Sequence, residues 1–214
     1  MTSLTKTLIT CCMMLAVANF SAAQKQTSVG IKAGGNFASL PGLSDVSGYE
    51  MNSTILYHGG LYADIGVSDK FSVQPELLYS AQGAENTKLT AQGNDGNTYN
   101  VSLKYALTYV TLPVILQYQV IPSLRIGAGP YVGYLISAKE KVKITGTQSE
   151  NQDTDIKEDL KKIDAGLGFG ASYLVGGQIL VYTRYNLGLM NVADNDGTNS
   201  IKNSVFQLGI GLQF

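Results

Sequence analysis

The final segment of the chain, from Phe206 to Phe214, alternates strictly between large apolar side chains and glycine or glutamine. A period of two is that of a β-strand, because successive side chains of a strand point to opposite faces. The segment is long enough to cross a hydrocarbon layer when tilted, and it ends on an apolar aromatic residue. We therefore expect a membrane-spanning strand. Its apolar face consists of Phe206, Leu208, Ile210, Leu212 and Phe214.

Seven earlier segments repeat this alternation. They begin near Val29, Ile55, Phe71, Tyr109, Leu124, Ile163 and Ile179. Short turns alternate with longer polar loops along the chain, and both ends of the barrel segment fall on the short-turn side. This asymmetry is typical of outer-membrane barrels, whose periplasmic turns are short and whose extracellular loops are long. The predicted fold is an all-β, eight-stranded antiparallel up-and-down transmembrane β-barrel.

Three loop segments carry their own expectations. Residues 83–104 are predicted to form a hairpin above the membrane around the Gly93-Asn94-Asp95-Gly96 turn, because their arms are too short and polar to span. Residues 139–162 mix charges of both signs, which predicts a solvated loop and makes it the best candidate for meeting a partner. Residues 194–197 resemble the start of a calcium loop but lack the later acidic ligand, so we expect a plain turn.

The N-terminus is typical of a secretory signal. Lys6 supplies a positive charge, residues 8–18 are a short apolar run, and small residues at 21–23 suit cleavage. Both cysteines, Cys11 and Cys12, lie within it, so the exported chain is expected to have no thiol for a disulfide or a metal site. The predicted division is a signal peptide at 1–23 and an outer-membrane β-barrel domain at 24–214.

Aromatic residues on the apolar face are expected at two levels of the barrel, as in the two interfacial girdles of membrane barrels. At the long-loop end these are Phe37, Tyr57, Tyr79, Tyr134, Tyr185 and Phe206, and at the short-turn end Phe71, Tyr118, Tyr173 and Phe214. The alternative is a soluble secreted lipocalin-like barrel, whose polar face would meet water. Glycine, serine, asparagine and glutamine dominate that face here, where a soluble barrel needs many charges.

Several short motifs occur along the chain in a definite order and spacing. They are residues 31–37, 74–80, 109–118, 127–133 and 164–168, followed by Phe214 at the end. Together they resemble the PorT-like outer-membrane β-barrel domain family of Bacteroidota, also called porin family proteins, over nearly the whole exported chain. The resemblance implies a place in the outer membrane of a Gram-negative cell and recognition of Phe214 by the barrel-insertion machinery. Some family members are linked to protein secretion, a role that we do not transfer.

Charged residues on the predicted lumen face are the most informative polar positions. They are Lys32, Asp64, Glu76, Arg125, Asp164 and Arg184. Three of each sign balance, and a barrel of eight strands is only wide enough for its own side chains. Because an unpaired charge there would be costly, we predict a salt-bridged plug that closes the lumen. A narrow ion pathway is the alternative.

We predict no catalytic, cofactor or metal site. His58 is the only histidine, and no pattern fixes its geometry relative to the candidate nucleophiles Ser39, Ser53 and Ser80. The formal net charge is −1 and the chain has no basic run, which argues against nucleic-acid binding.

The predicted function is that of a non-enzymatic integral outer-membrane barrel with a closed or nearly closed lumen. Its extracellular loops would serve a scaffold, adhesion or envelope-stabilising role. The expected partners are outer-membrane lipid and lipopolysaccharide, the barrel-insertion machinery, and envelope or secretion-system proteins. The alternatives are a small porin or an accessory component of an outer-membrane secretion system.

Overall fold

A computed structural model describes residues 27–47, 49–92, 98–145, 150–193 and 200–214 of the chain. The predicted signal peptide, the 93–96 turn and the 194–197 segment lie outside these residues. No helix within the described ranges is long and apolar enough to cross a membrane.

The described residues form nine β-strands and very little helix. A short helix, α1 (Leu43–Ser47), follows the first strand, and a 3-10 turn occupies Lys157–Asp159. The strands are β1 (Thr27–Ser39), β2 (Asn52–Gly66), β3 (Phe71–Gln92), β4 (Thr98–Ile121), β5 (Leu124–Thr145), β6 (Glu150–Asp155), β7 (Ile163–Val175), β8 (Ile179–Gly188) and β9 (Ser204–Gln213).

Eight of these strands form a closed antiparallel ring, which confirms the predicted fold. The order around the ring is β1, β2, β3, β4, β5, β7, β8 and β9, and β6 lies outside it beside β5. β9 closes the ring by pairing with β1 from Gly30–Gln213 to Ser39–Ser204. Closure removes the sheet edges that could not be satisfied in lipid.

Side chains alternate between lipid and lumen as the sequence predicts. On β9, Leu208 and Ile210 are exposed on the outer face, whereas Gln207 is buried inside. The predicted girdle residues also lie on the outer face, and two of them, Phe37 and Phe206, pack with ring centroids 6.0 Å apart. At the periplasmic end Gly176 and Gly177 both have positive φ in the tight turn where Gln178 N donates to Val175 O at 3.3 Å.

The loop end of the barrel agrees with the sequence prediction in one place and differs from it in another. Residues 83–92 and 98–104 form the two arms of the predicted hairpin, and these arms are continuous with the spanning parts of β3 and β4. Residues 139–162 are not simply a loop, since they contain the end of β5, all of β6 and the 3-10 turn. In the extension of β4, polar residues such as Lys104 and Thr108 replace the lipid-facing apolar residues of a spanning strand, whereas Leu103 and Leu107 on the other face are buried.

The extensions form one continuous sheet outside the barrel. It consists of residues 81–92 of β3, 98–108 of β4, 137–145 of β5, and β6, paired in that order. We call it the extracellular sheet.

Three prolines interrupt hydrogen bonding in one half of the ring. A proline has no N–H to donate in a β-ladder. The antiparallel pairings β2–β3, β3–β4 and β4–β5 are each interrupted at a pair of residues that includes a proline. By contrast, the β1–β2, β7–β8, β8–β9 and β9–β1 registers run without a gap. We call the interrupted region the proline seam. Its interrupted pairs are Ala63–Pro75, Glu76–Pro113 and Val114–Pro130.

Candidate functional site in the barrel lumen

A three-membered ion cluster lies in the middle of the lumen. Glu76 Oε1 accepts a hydrogen bond from Lys32 Nζ at 2.7 Å and another from Arg184 Nη2 at 2.6 Å. Arg184 Nη1 donates to Glu76 Oε2 at 2.8 Å, so the arginine binds the carboxylate with both nitrogens. The three residues lie on β3, β1 and β8, and their side chains are almost fully buried. The cluster therefore joins distant strands across the lumen through charge-assisted hydrogen bonds.

Aromatic rings surround the cation of this cluster. Lys32 Nζ lies 4.3 Å from the centroid of the Tyr182 ring and 5.8 Å from that of Tyr62. Cations are attracted to the faces of aromatic rings, most strongly where water is excluded. The rings thus help to stabilise a buried ammonium group beside a buried guanidinium.

A second ion pair lies nearer the periplasmic end. Arg125 Nη1 donates to Asp64 Oδ2, and the arginine side chain remains about one-fifth exposed, at 21%. Beyond this pair the lumen opens into a vestibule of about 580 Å³. Its lining is largely polar and includes Ser28, Ser72, Gln119 and Gln213. A cavity of about 20 Å³, the size of a single water, separates the pair from the ion cluster.

Asp164 stands apart from the other predicted lumen charges. Its Oδ2 accepts hydrogen bonds from Asn203 Nδ2 at 2.8 Å and from the Tyr131 hydroxyl at 3.2 Å. Both donors are neutral. The structure thus places five of the six predicted charges in two ion-paired groups and the sixth among neutral donors.

His58 is buried and makes a hydrogen bond with the Tyr182 hydroxyl. Of the three candidate nucleophiles, only Ser80 lies opposite His58 on the neighbouring strand. Its hydroxyl accepts a hydrogen bond from Asn36 Nδ2 at 3.0 Å. Within the described part of the chain, no group of three or more His, Cys, Asp or Glu side chains could hold a metal ion.

Apolar residues from the loops cover the extracellular mouth, a feature that the sequence reasoning missed. The backbone bonds Lys161 N to Val192 O and Val192 N to Ile201 O, both 2.8 Å, hold the loops together. The only sequence signal for this apolar cover was the presence of single apolar residues within otherwise polar loops. We call this cluster the loop cap. It consists of Leu40, Leu43, Val192, Ala193 and Ile201, packed on Tyr109 and Leu135 of the barrel wall and on Ala84, Leu107 and Ala138 of the extracellular sheet.

Four of the five residues predicted as an assembly signal lie on the outer face of β9, and the fifth, Phe214, directly follows it. Phe214 is the most exposed of them, at 73%. Its amide donates to Val29 O at 2.7 Å, and Val29 N donates to Phe214 O at 3.3 Å. The last residue is therefore held in the closing strand, with its ring on the lipid-facing side.

Comparison with known proteins gave a family and several similar structures. The family model described as outer membrane protein beta-barrel domain matches residues 21–194. No curated protein sequence matches the chain.

Among solved structures, Ail, the attachment invasion locus protein of Yersinia pestis, is 12% identical, with 88% of this chain and 97% of that chain covered and a TM-score of 0.45. Neisserial surface protein A is 14% identical, with 88% and 97% covered and a TM-score of 0.44. OprG from Pseudomonas aeruginosa is 13% identical, with 88% and 94% covered and a TM-score of 0.33. At these values the likeness carries no statement about function.

Proposed function

Because the chain belongs to the outer membrane protein β-barrel domain family, we propose that it is a closed, non-enzymatic barrel that displays a binding surface outside the cell. The observation that carries this proposal is the length of three strands. β3, β4 and β5 have 22, 24 and 22 residues, about twice the ~9–11 that a tilted strand needs to cross the membrane. The residues of these strands that are not needed to cross the membrane form most of the extracellular sheet.

The extracellular sheet carries a row of charges across its four strands. Glu85 is opposite Lys104, Lys104 is opposite Lys141, and Lys141 is opposite Asp153. The outer pairs form salt bridges of 3.3 and 3.6 Å. The two lysines in the middle face each other, and directly opposed like charges destabilise a sheet.

An anionic group bound between the two lysines would relieve their repulsion. A groove of about 410 Å³ lies over this row and is also lined by Lys143 and Asn151. Phosphate groups accept charge-assisted hydrogen bonds from lysine, and lipopolysaccharide presents phosphates at the outer surface of the membrane. We therefore propose an anionic saccharide, with lipopolysaccharide as the first candidate, as the partner of the extracellular sheet.

Substituting both central lysines tests the binding role. We expect the Lys104→Gln/Lys141→Gln variant to bind purified lipopolysaccharide roughly tenfold more weakly, because two exposed charge contacts are lost. Surface plasmon resonance on detergent-solubilised protein would measure the change. The matched control, Lys157→Gln/Lys162→Gln, removes the same charge outside this row and should bind like the parent protein. Equal binding by both variants would contradict the proposal.

The closed lumen is the second part of the proposal. The ion cluster and the loop cap support it, because one lies in the middle of the lumen and the other covers its outer mouth. We expect purified protein in planar lipid bilayers to produce no large, stable conductance steps. Frequent stable steps would instead favour the small porin.

The remaining expectations come from the sequence alone. We propose that residues 1–23 are a signal peptide and that the chain falls within the PorT-like group. A role as an accessory of a secretion system would require stable co-purification with other envelope proteins.

A further inference from the structure

A groove on the lipid-facing wall coincides with one break of the proline seam. It has a volume of about 580 Å³ and an apolar lining that includes Val29, Ile31, Leu61 and Leu77. Two small side chains, Ala63 and Pro75, also line the groove, side by side on β2 and β3. The groove is therefore a shallow site bordered by larger apolar residues.

The Ala63–Pro75 break leaves a backbone acceptor without its usual donor. In an uninterrupted ladder the Ala63 carbonyl would accept from the amide of residue 75, but proline has no N–H. In hydrocarbon no water replaces that donor, and an unsatisfied backbone group there is costly. A carbonyl oxygen in this position favours any donor that enters the groove.

The depth of the break determines which molecules can reach it. β3 begins at Phe71, a residue of the periplasmic girdle, and Pro75 lies roughly 13 Å further along the strand. This position is within the acyl region of the periplasmic leaflet. Lipid headgroups do not reach it, so a donor must be carried on the acyl chain itself.

We propose that this groove is a binding site for a lipid whose acyl chain carries a hydroxyl group. The chain lies along the apolar lining, and the hydroxyl donates a hydrogen bond to the Ala63 carbonyl. The breaks at Pro113 and Pro130 do not share this site, because neither residue lines the groove. The site is independent of the extracellular sheet and of the closed lumen.

The absence of tryptophan from the sequence allows a direct measurement. Leu112→Trp places a single tryptophan in the groove, and Leu167→Trp places one on the outer face of β7, at a similar distance from the periplasmic end. Each variant is reconstituted in phosphatidylcholine vesicles that contain dibrominated phosphatidylcholine, which quenches tryptophan fluorescence. Hydroxystearoyl or stearoyl phosphatidylcholine is then added as a competitor.

The hydroxylated competitor should relieve quenching at Leu112→Trp roughly three- to tenfold more effectively than the plain one, as one added hydrogen bond implies. At Leu167→Trp the two competitors should be equivalent. Equal effects at both reporters would overturn the proposal.

A second test restores the backbone hydrogen-bond donor that Pro75 lacks. Pro75→Ala supplies an N–H to the Ala63 carbonyl and keeps the side chain small, so it should abolish the preference in the Leu112→Trp background. Pro130→Ala is the matched control, because it restores a ladder bond away from the groove, and the preference should persist. A preference that survives Pro75→Ala would also overturn the proposal. The comparison of the two tryptophan reporters stands even if Pro75→Ala fails to fold.

Discussion

The substitution Glu76→Gln is expected to lower the free energy of unfolding by about 3–5 kcal/mol. Glu76 bonds both Lys32 and Arg184 in the middle of the lumen, and its side chain is 0% exposed. Neutralising it leaves two buried cations side by side without a counter-charge. The effect should be large because the remaining charges stay buried, away from water, and no longer have an opposite charge to compensate for their lost hydration.

The position of Glu76 adds to the expected effect. Its backbone carbonyl faces Pro113, so β3 and β4 already lack one ladder bond at this point. The ion cluster ties β3 to β1 and β8, whose registers in the ring have no gap. We infer that the cluster stabilises the proline seam by linking it to the strands of the barrel whose registers have no gap.

Urea unfolding in phospholipid vesicles, followed by heat-modifiable migration on gels, would measure the change. Glu85→Gln is one control, because that glutamate forms a 3.3 Å salt bridge with Lys104 and both side chains are about one-third exposed. Its loss should cost less than about 1 kcal/mol. Asp164→Asn is the other control, because Asp164 accepts hydrogen bonds only from neutral donors among its side-chain partners Tyr131 and Asn203. We expect it to change the free energy of unfolding by no more than about 1 kcal/mol. A cost for Glu76→Gln no larger than either control would contradict a stabilising cluster.

Replacing the whole cluster by apolar residues should recover much of the loss. The triple variant Lys32→Met/Glu76→Leu/Arg184→Met removes all three charges and leaves none unpaired. Such replacements of buried ion networks are often neutral or stabilising. Recovery in the triple variant would separate the charge effect of Glu76→Gln from a simple packing defect.

Phe214→Asp is expected to reduce the amount of folded protein in the outer membrane several-fold. Phe214 ends the closing strand with its ring exposed to lipid, and the family resemblance implies that this residue is recognised during insertion. A charge at the membrane interface costs only about 0–1 kcal/mol. A large defect would therefore reflect recognition during assembly rather than stability in the membrane.

Phe71→Asp is the matched control for this prediction. Phe71 belongs to the same periplasmic girdle and is also exposed, but it lies at the start of β3. The heat-modifiable fraction in outer-membrane preparations should fall much further for Phe214→Asp than for Phe71→Asp. Refolding of both variants into lipid vesicles without the insertion machinery should be similar. Equal assembly of the two variants in cells would count against a C-terminal signal.

The sequence by itself determined the number of spanning strands and which side chains face lipid. The reason is that strand alternation is a local property, visible over a few residues wherever one face meets hydrocarbon and the other does not. Ile31 and Lys32 show this, because one is exposed on the outer face and the other is buried in the lumen. The same alternation placed Phe206 and its neighbours on the outer face of the closing strand.

Only the tertiary structure decided how those side chains combine. Lys32 meets Glu76 and Arg184, whereas Asp164 meets Asn203, because contacts across a barrel depend on register around the ring. The loop cap likewise joins segments that are far apart in sequence. The extracellular sheet was not predicted as one sheet for a related reason: its polar and charged residues resemble those of loops, and the order of its strands comes from pairing with neighbouring strands.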